Sequence, residues 1–141
     1  MAPRFMTASA PAVSNTENRK HQRLDIRVSA NVAFNDGIQY NGKTRNISFC
    51  GAFIQFNQAS VLKRGARCML TLMFSDGPKT VMLKFKSKIT HVKPDGIGLV
   101  FKGIFAEDYA DFVYLMSKHS PDPDALLREL KENPCIKIHS I

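Results

Sequence analysis

Between Leu24 and Lys102 apolar and polar residues alternate with a period of two, and short turn signals break the alternation repeatedly. A period of two places successive side chains on opposite faces of a strand, so this stretch reads as an antiparallel sheet built from hairpins. In the first strand Leu24, Ile26, Val28, Ala30, Val32 and Phe34 share one face, and Asp25, Arg27, Ser29 and Asn31 the other. Asn35-Asp36-Gly37 is a hairpin turn signal. The second strand runs from Gln39 to Ile47 and the third from Ala52 to Phe56, with a connection over Val61 to Gly65. The fourth runs from Arg67 to Phe74 and is closed by Ser75-Asp76-Gly77-Pro78. The fifth, Thr80 to Val92, sets Val81, Leu83 and Phe85 against Lys84, Lys86 and Lys88. Pro94-Asp95-Gly96 turns the chain into a sixth strand, Ile97 to Lys102. In a chain this short, closing the sheet removes its sticky edges. The expected fold is therefore mainly β, a six-stranded antiparallel β-barrel.

After Gly103 the period changes. Ile104, Phe105, Tyr109, Phe112, Val113, Leu115 and Met116 recur at helical spacing, predicting a C-terminal α-helix over Phe105 to Ser117 whose apolar face covers a barrel end. A second short helix is expected over Ala125 to Lys131, with Asp124 as its N-cap. Residues 134–141 read as a loose or edge-pairing tail. Residues 1–17, rich in Ala, Pro, Ser, Thr and Asn, read as a disordered N-terminal arm. The expected organisation is an arm over 1–17, a barrel domain with its helix over 18–118, and an extension over 119–141.

Of the 141 residues 44% are hydrophobic, enough for one domain with a real core. No run approaches eighteen apolar residues, and Met1 to Asn15 holds one Arg and no apolar h-region, so neither a membrane span nor a secretory signal is expected. Cys50, Cys68 and Cys135 are odd in number and far apart, which argues against a disulfide framework and against a CxxC zinc site. The expected compartment is the reducing cytoplasm.

Charge is uneven. Residues 1–103 carry 16 basic and 5 acidic groups, a net of +11, whereas residues 104–141 carry a net of −3. A basic body suits a polyanionic partner, although a solvated surface explains it equally well. His21, His91, His119 and His139 are scattered at no metal spacing, and GxSxG, P-loop and GxGxxG motifs are missing. Nothing here points to an enzyme, a metal or a bound cofactor.

Two patterns remain. Arg19-x-x-x-Arg23 stands just ahead of the first strand, and Asn46-x-Ser48-x-x-Gly51 joins the second to the third. If the hairpin turns at residues 36 and 37, paired positions sum to about 73, which sets Arg27 opposite Asn46 and Arg23 opposite the Ser48–Gly51 junction. Both patterns then fall at one end of one strand pair. The residue types suit a guanine nucleotide. Arg offers a planar fork of donors to phosphate oxygens or to the O6/N7 edge of guanine. Asn46 can accept from the guanine N1–H or amine, and Ser48 can bridge to base or phosphate. Gly51 permits a positive φ, a bulge or close ligand approach. The plainer alternative is a solvated basic arm, an Asn and a Ser that satisfy turn backbone groups, and a glycine that kinks the barrel.

These residues resemble the PilZ domain family over roughly residues 17–118. The resemblance rests on Asn18 to Arg23, on Arg45-Asn46-Ile47-Ser48-Phe49-Cys50-Gly51-Ala52-Phe53-Ile54, and on Gly96-Ile97-Gly98-Leu99-Val100-Phe101. It implies a six-stranded antiparallel barrel with a C-terminal helix, acting as a bacterial receptor for cyclic di-GMP. It further implies that Arg19 and Arg23 grip phosphates and guanine, that Asn46, Ser48 and Gly51 hold a guanine base, and that Gly98 lies beside the ligand. Members that take up a stacked ligand pair often carry another arginine where this chain has Asn18, so the resemblance leans to one ligand molecule per chain. Cys50 stands where the family often has glycine. The expected partners are cyclic di-GMP and a downstream protein that senses the arm as it closes, with no membrane involved. The alternatives are a PilZ-like protein adaptor without ligand, and a basic barrel binding single-stranded nucleic acid. The last is disfavoured because Phe34, Phe49, Phe53, Phe56, Phe74, Phe85 and Phe101 fall mostly on inward positions and there is no Trp.

Overall fold

The alternation seen in the sequence becomes a closed barrel in the structure, a computed structural model that describes residues 22–57 and 61–139. The strands are β1 (Ser29–Ala33), β2 (Gln39–Ile47), β3 (Gly51–Gln55), β4 (Arg67–Asp76), β5 (Lys79–Lys93) and β6 (Gly96–Phe105). They are followed by α1 (Ala106–His119), α2 (Pro123–Glu132) and a short β7 (Lys137–His139). The sheet runs β3-β2-β1-β4-β5-β6-β7, and a further β3–β6 pairing closes the first six strands into an antiparallel barrel. β7 adds to β6 in parallel, the edge-pairing form of the expected tail. The expected fold class is what the chain adopts.

Turn chemistry sets the hairpins. Gly37 takes φ +89 and donates its N–H to the Phe34 carbonyl, while the Asp36 carboxylate accepts from the Ile38 amide. A side chain at positive φ would be strained there, which is why glycine ends this turn. Asp76 pairs with Lys79, so Gly77 and Pro78 alone turn the chain between β4 and β5.

The first strand is shorter than its alternation suggests. Leu24 and Ile26 are buried like Ala30 and Val32, so the two-residue period holds, yet only residues 29–33 form a continuous ladder. The reason is Thr44. The Thr44 amide still donates to the Val28 carbonyl (2.9 Å), but its buried hydroxyl, not a backbone carbonyl, accepts from the Val28 amide (2.9 Å) and donates to the Ile26 carbonyl (2.6 Å). Paired residues sum to 72 along β1–β2 and to 71 at the isolated Leu24–Ile47 bridge. The expected sum of 73 is thus corrected: Arg27 does not face Asn46, and Arg23 lies beside the end of β2.

Helix α1 plugs the barrel. Phe112, Leu115 and Met116 are buried on one face, and the Phe112 ring meets Phe85, Phe49 and Phe101 edge-on at 4.9, 5.5 and 5.8 Å between centroids. Phe85 and Phe101 stack at 4.3 Å beneath it. Offset and edge-to-face pairs like these add to the burial of apolar area. Helix α2 begins at Pro123, and its N-cap is Asp122, not Asp124. The Asp122 side chain accepts from the Ala125 amide at 3.2 Å, and Pro123 occupies the first turn, where a missing N–H has no consequence. Leu126, Leu130 and Ile136 join the main core cluster, so the segment after α1 packs against the barrel.

Phe112→Ala removes the ring on which three other aromatic rings close. It should lower unfolding free energy by about 3–5 kcal/mol, measured by chemical denaturation.

Candidate functional site

Two backbone hydrogen bonds between Leu24 and Ile47, at 2.7 and 2.9 Å, bring the root of the basic arm to the end of β2. Arg23 is exposed there, and its Nη1 donates to the Asn46 Oδ1 at 2.9 Å. The two sequence patterns therefore meet in space, side chain to side chain. Arg19 lies outside the described residues.

Ser48 is buried and occupied locally. Its Oγ accepts from the amides of Cys50 (3.1 Å) and Gly51 (3.2 Å), and its N–H donates to the Gly51 carbonyl at 2.8 Å. It organises the turn, as the plainer reading of the sequence allowed. Gly51 is not at positive φ. It is a glycine because a Cβ there would run into the carbonyl oxygen of Leu99 on β6. The close approach that it permits is that of a neighbouring strand.

Across the outer face the register lines up four residues. Asn46 on β2 pairs with Phe53 on β3, Phe53 with Gly98 on β6, and Gly98 with His91 on β5. Ala52, Ile54, Ile97 and Leu99 point into the core, so this row points out. Phe53 is shielded on that outer face by Arg45, whose guanidinium lies 4.5 Å from the ring centroid. Arg45 sits at the irregularity between Thr44 and Asn46 and forms an ion pair with Asp95 in the β5–β6 turn. That hydrogen bond holds the Asp95 carboxyl below the usual carboxylate range. A Cβ on Gly98 would meet His91 Cβ and Nδ1 at 3.3 Å, so the bare glycine keeps the floor between Phe53 and His91 flat. The arrangement is an aromatic ring, a flat glycine, an amide acceptor and two arginines along one rim. With Phe53 itself buried under Arg45, the arginine plane is the group a base can stack on, while Asn46 can read a polar edge and the two arginines can neutralise a phosphate.

Sequence reasoning missed Phe53, Arg45 and Asp95. Phe53 is buried, as its apolar setting suggests, but its ring is buried on the outer side of the barrel, under Arg45. The signal that marks it as outward is its place in the strand between Ala52 and Ile54. The expectation about cysteines is corrected too. Cys50, inside the signature turn, is disulfide-bonded to Cys135, with Cα atoms 5.6 Å apart and a separation of 85 positions in sequence. The long separation concealed the pair: only the addition of β7 to β6 brings residue 135 beside the turn. Closing a loop of that length is worth roughly 4–5 kcal/mol in the chain-entropy account. Cys68 is the odd one, free and buried, and burial pushes its thiol up to about 11.

A second basic region lies elsewhere. Arg67, Lys86, Lys88, Lys102 and Lys137 surround one open groove, and none forms an ion pair with a carboxylate among the described residues. Among the described residues no three His, Cys, Asp or Glu side chains group as metal ligands, and no helix is long and apolar enough to cross a membrane.

Residues 17–117 match the PilZ domain family. The chain belongs to that family, whose members are cyclic di-GMP receptors and adaptors, binding domains rather than enzymes. Among solved structures it is similar to the Bacillus subtilis inhibitor of motility (MotI/DgrA), at 14% identity and a TM-score of 0.56, over 82% of this chain and 50% of that one. It is also similar to the PilZ domain of CeSA from a cellulose-synthesizing bacterium, at 17% identity and a TM-score of 0.45, over 57% of this chain and 80% of that one. The chain thus spans half the length of MotI/DgrA. No curated protein matches it in sequence.

Thr44→Val should destabilise the fold by about 1–3 kcal/mol, because it leaves the Val28 amide and the Ile26 carbonyl without their partner. Hydrogen exchange should show the Val28 amide losing protection first. In thiol titration the folded, non-reduced protein should react slowly, since its one free thiol, Cys68, is buried and protonated near neutral pH. Its reactivity should climb as pH rises toward about 11.

Proposed function

We propose that this PilZ domain is a receptor for cyclic di-GMP, bound at the rim where Arg23 meets Asn46. The hydrogen bond between these two side chains carries the reading, because it unites both halves of the family's ligand motif at one point of the barrel. Arg19 and Arg23 grip the phosphates and the guanine edge. Asn46 accepts from guanine N1–H or its amine, exchanging its contact with Arg23 for one with the base. Ser48 and Gly51 hold the turn that presents Asn46. Gly98, beside Phe53, gives the base a flat approach to the barrel wall. One ligand molecule per chain is the expected stoichiometry, given Asn18.

Binding draws the arm onto the barrel. Ordering it opposes binding by roughly 1–2 kcal/mol per backbone residue fixed. Charge-assisted hydrogen bonds, about 1.5–3 kcal/mol each, offset that. The closed arm then offers a new surface to a downstream protein in the cytoplasm, a population shift with no bond chemistry. No cofactor takes part. The nucleic-acid alternative needs exposed aromatics for stacking, and Tyr114 on α1 is the strongly exposed aromatic among the described residues.

Calorimetric titration with cyclic di-GMP should give one ligand per chain. Arg23→Ala should weaken binding about tenfold or more. Gly98→Leu should weaken it as well while the barrel stays folded by circular dichroism. Equal affinity of Arg23→Ala and the parent would show that the site has been wrongly assigned.

A further inference from the structure

Helix α2 and the residues just beyond it reach both halves of the proposed site. The Glu129 carboxylate accepts from the Gln22 backbone N–H at 2.8 Å and from the Gln22 side-chain amide at 3.0 Å. Gln22 is the residue immediately before Arg23. Past the end of the same helix, Cys135 is bonded to Cys50, which lies between Ser48 and Gly51 in the signature turn. The Cys50 carbonyl also takes the Phe101 amide at 2.7 Å, so the bonded turn is seated on β6. Leu130 lies between these two fastenings and Leu126 and Ile136 flank them, all three sunk in the core, so the span from Glu129 to Cys135 is anchored to the barrel.

We propose that α2 and Cys135 form a redox-latched bracket that positions Arg23 and the signature turn for ligand, with Glu129 as a positioning residue. The ligand part rests on the receptor reading above. The latch closes by thiol–disulfide exchange with a low-molecular-weight disulfide such as oxidised glutathione. A sulfur–sulfur bond forms between Cys50 and Cys135, the small disulfide is split, and its two thiols carry away two electrons and the two protons. Cys135 is exposed to such a reagent. Cys68 is buried and its thiol stays protonated, so it takes no part. Closed, the bracket holds Gln22 and the turn in one arrangement before ligand arrives. A site organised in advance binds more tightly than one that must be ordered on binding.

The test uses the full chain in two states, oxidised with oxidised glutathione and reduced with dithiothreitol, alongside Cys135→Ser, Glu129→Ala and Glu129→Gln. Hydrogen exchange of the ligand-free protein reads the amides of Gln22 and Leu24, and calorimetry reads the affinity for cyclic di-GMP. The oxidised parent should protect both amides better and bind about tenfold more tightly than the reduced parent or Cys135→Ser. Glu129→Ala should lose protection at Gln22 and affinity together, and Glu129→Gln, which keeps an acceptor oxygen, should recover part of both. Equal protection and equal affinity in all forms would overturn the bracket while leaving the receptor reading intact. Tighter binding by the reduced form, or redox-dependent protection with unchanged affinity, would overturn its positioning role. Redox-dependent protection with no ligand binding in any form would support the bracket and remove cyclic di-GMP as the ligand.

Discussion

The pairing of β3 with β6 is the constraint on which the molecule turns. β3 is only five residues long, yet it carries β2 on one side and β6 on the other, and without it the sheet stays open. Gly51 makes the closure feasible, since any side chain there would strike the Leu99 carbonyl. With the seam closed, the Cys50 carbonyl engages the Phe101 amide, and the signature turn is held against the strand that carries Gly98. The interior then needs filling, and Phe112 fills it from the end of the barrel.

The same seam lays out the outer face. Asn46, Phe53, Gly98 and His91 share one row only because β2, β3, β6 and β5 are consecutive neighbours around the barrel. Arg45, displaced by the irregularity beside Thr44, lies over Phe53 and ties to Asp95 at the next turn. An exposed pair of this kind adds little to stability. Its effect here is to set where the ring and the guanidinium stand. Thr44 acts from the other side of β2, spending its hydroxyl on Ile26 and Val28 so that residues 24–28 leave the regular ladder. Beyond it the Leu24–Ile47 bridge returns the chain to β2 and sets Arg23 beside Asn46.

The segment after α1 is drawn into the same architecture. Its apolar residues enter the barrel core, its last strand extends β6, and its polar and sulfur groups land on Gln22 and Cys50. The barrel, the arm root and the segment after α1 therefore form one connected structure, in which Glu129 and Cys135 fasten to residues on either side of the rim at Arg23.

The strands, their turns and the first helix were legible in the sequence because they depend on local rules: a period of two, a period near four, and residues such as Asn35-Asp36-Gly37 whose backbone preferences are strong. The match of Arg23 with the Asn46 motif was legible as well, because a hairpin joins positions close in sequence. What tertiary structure alone decided depends on long-range closure. The register slip at Thr44, the outward face of Phe53, the bond between Cys50 and Cys135 and the hold of Glu129 on Gln22 join residues from 16 to 107 positions apart or sit on a strand buried between two others. Periodicity cannot reveal such contacts, since each is set by how strands that are distant in sequence meet when the barrel shuts.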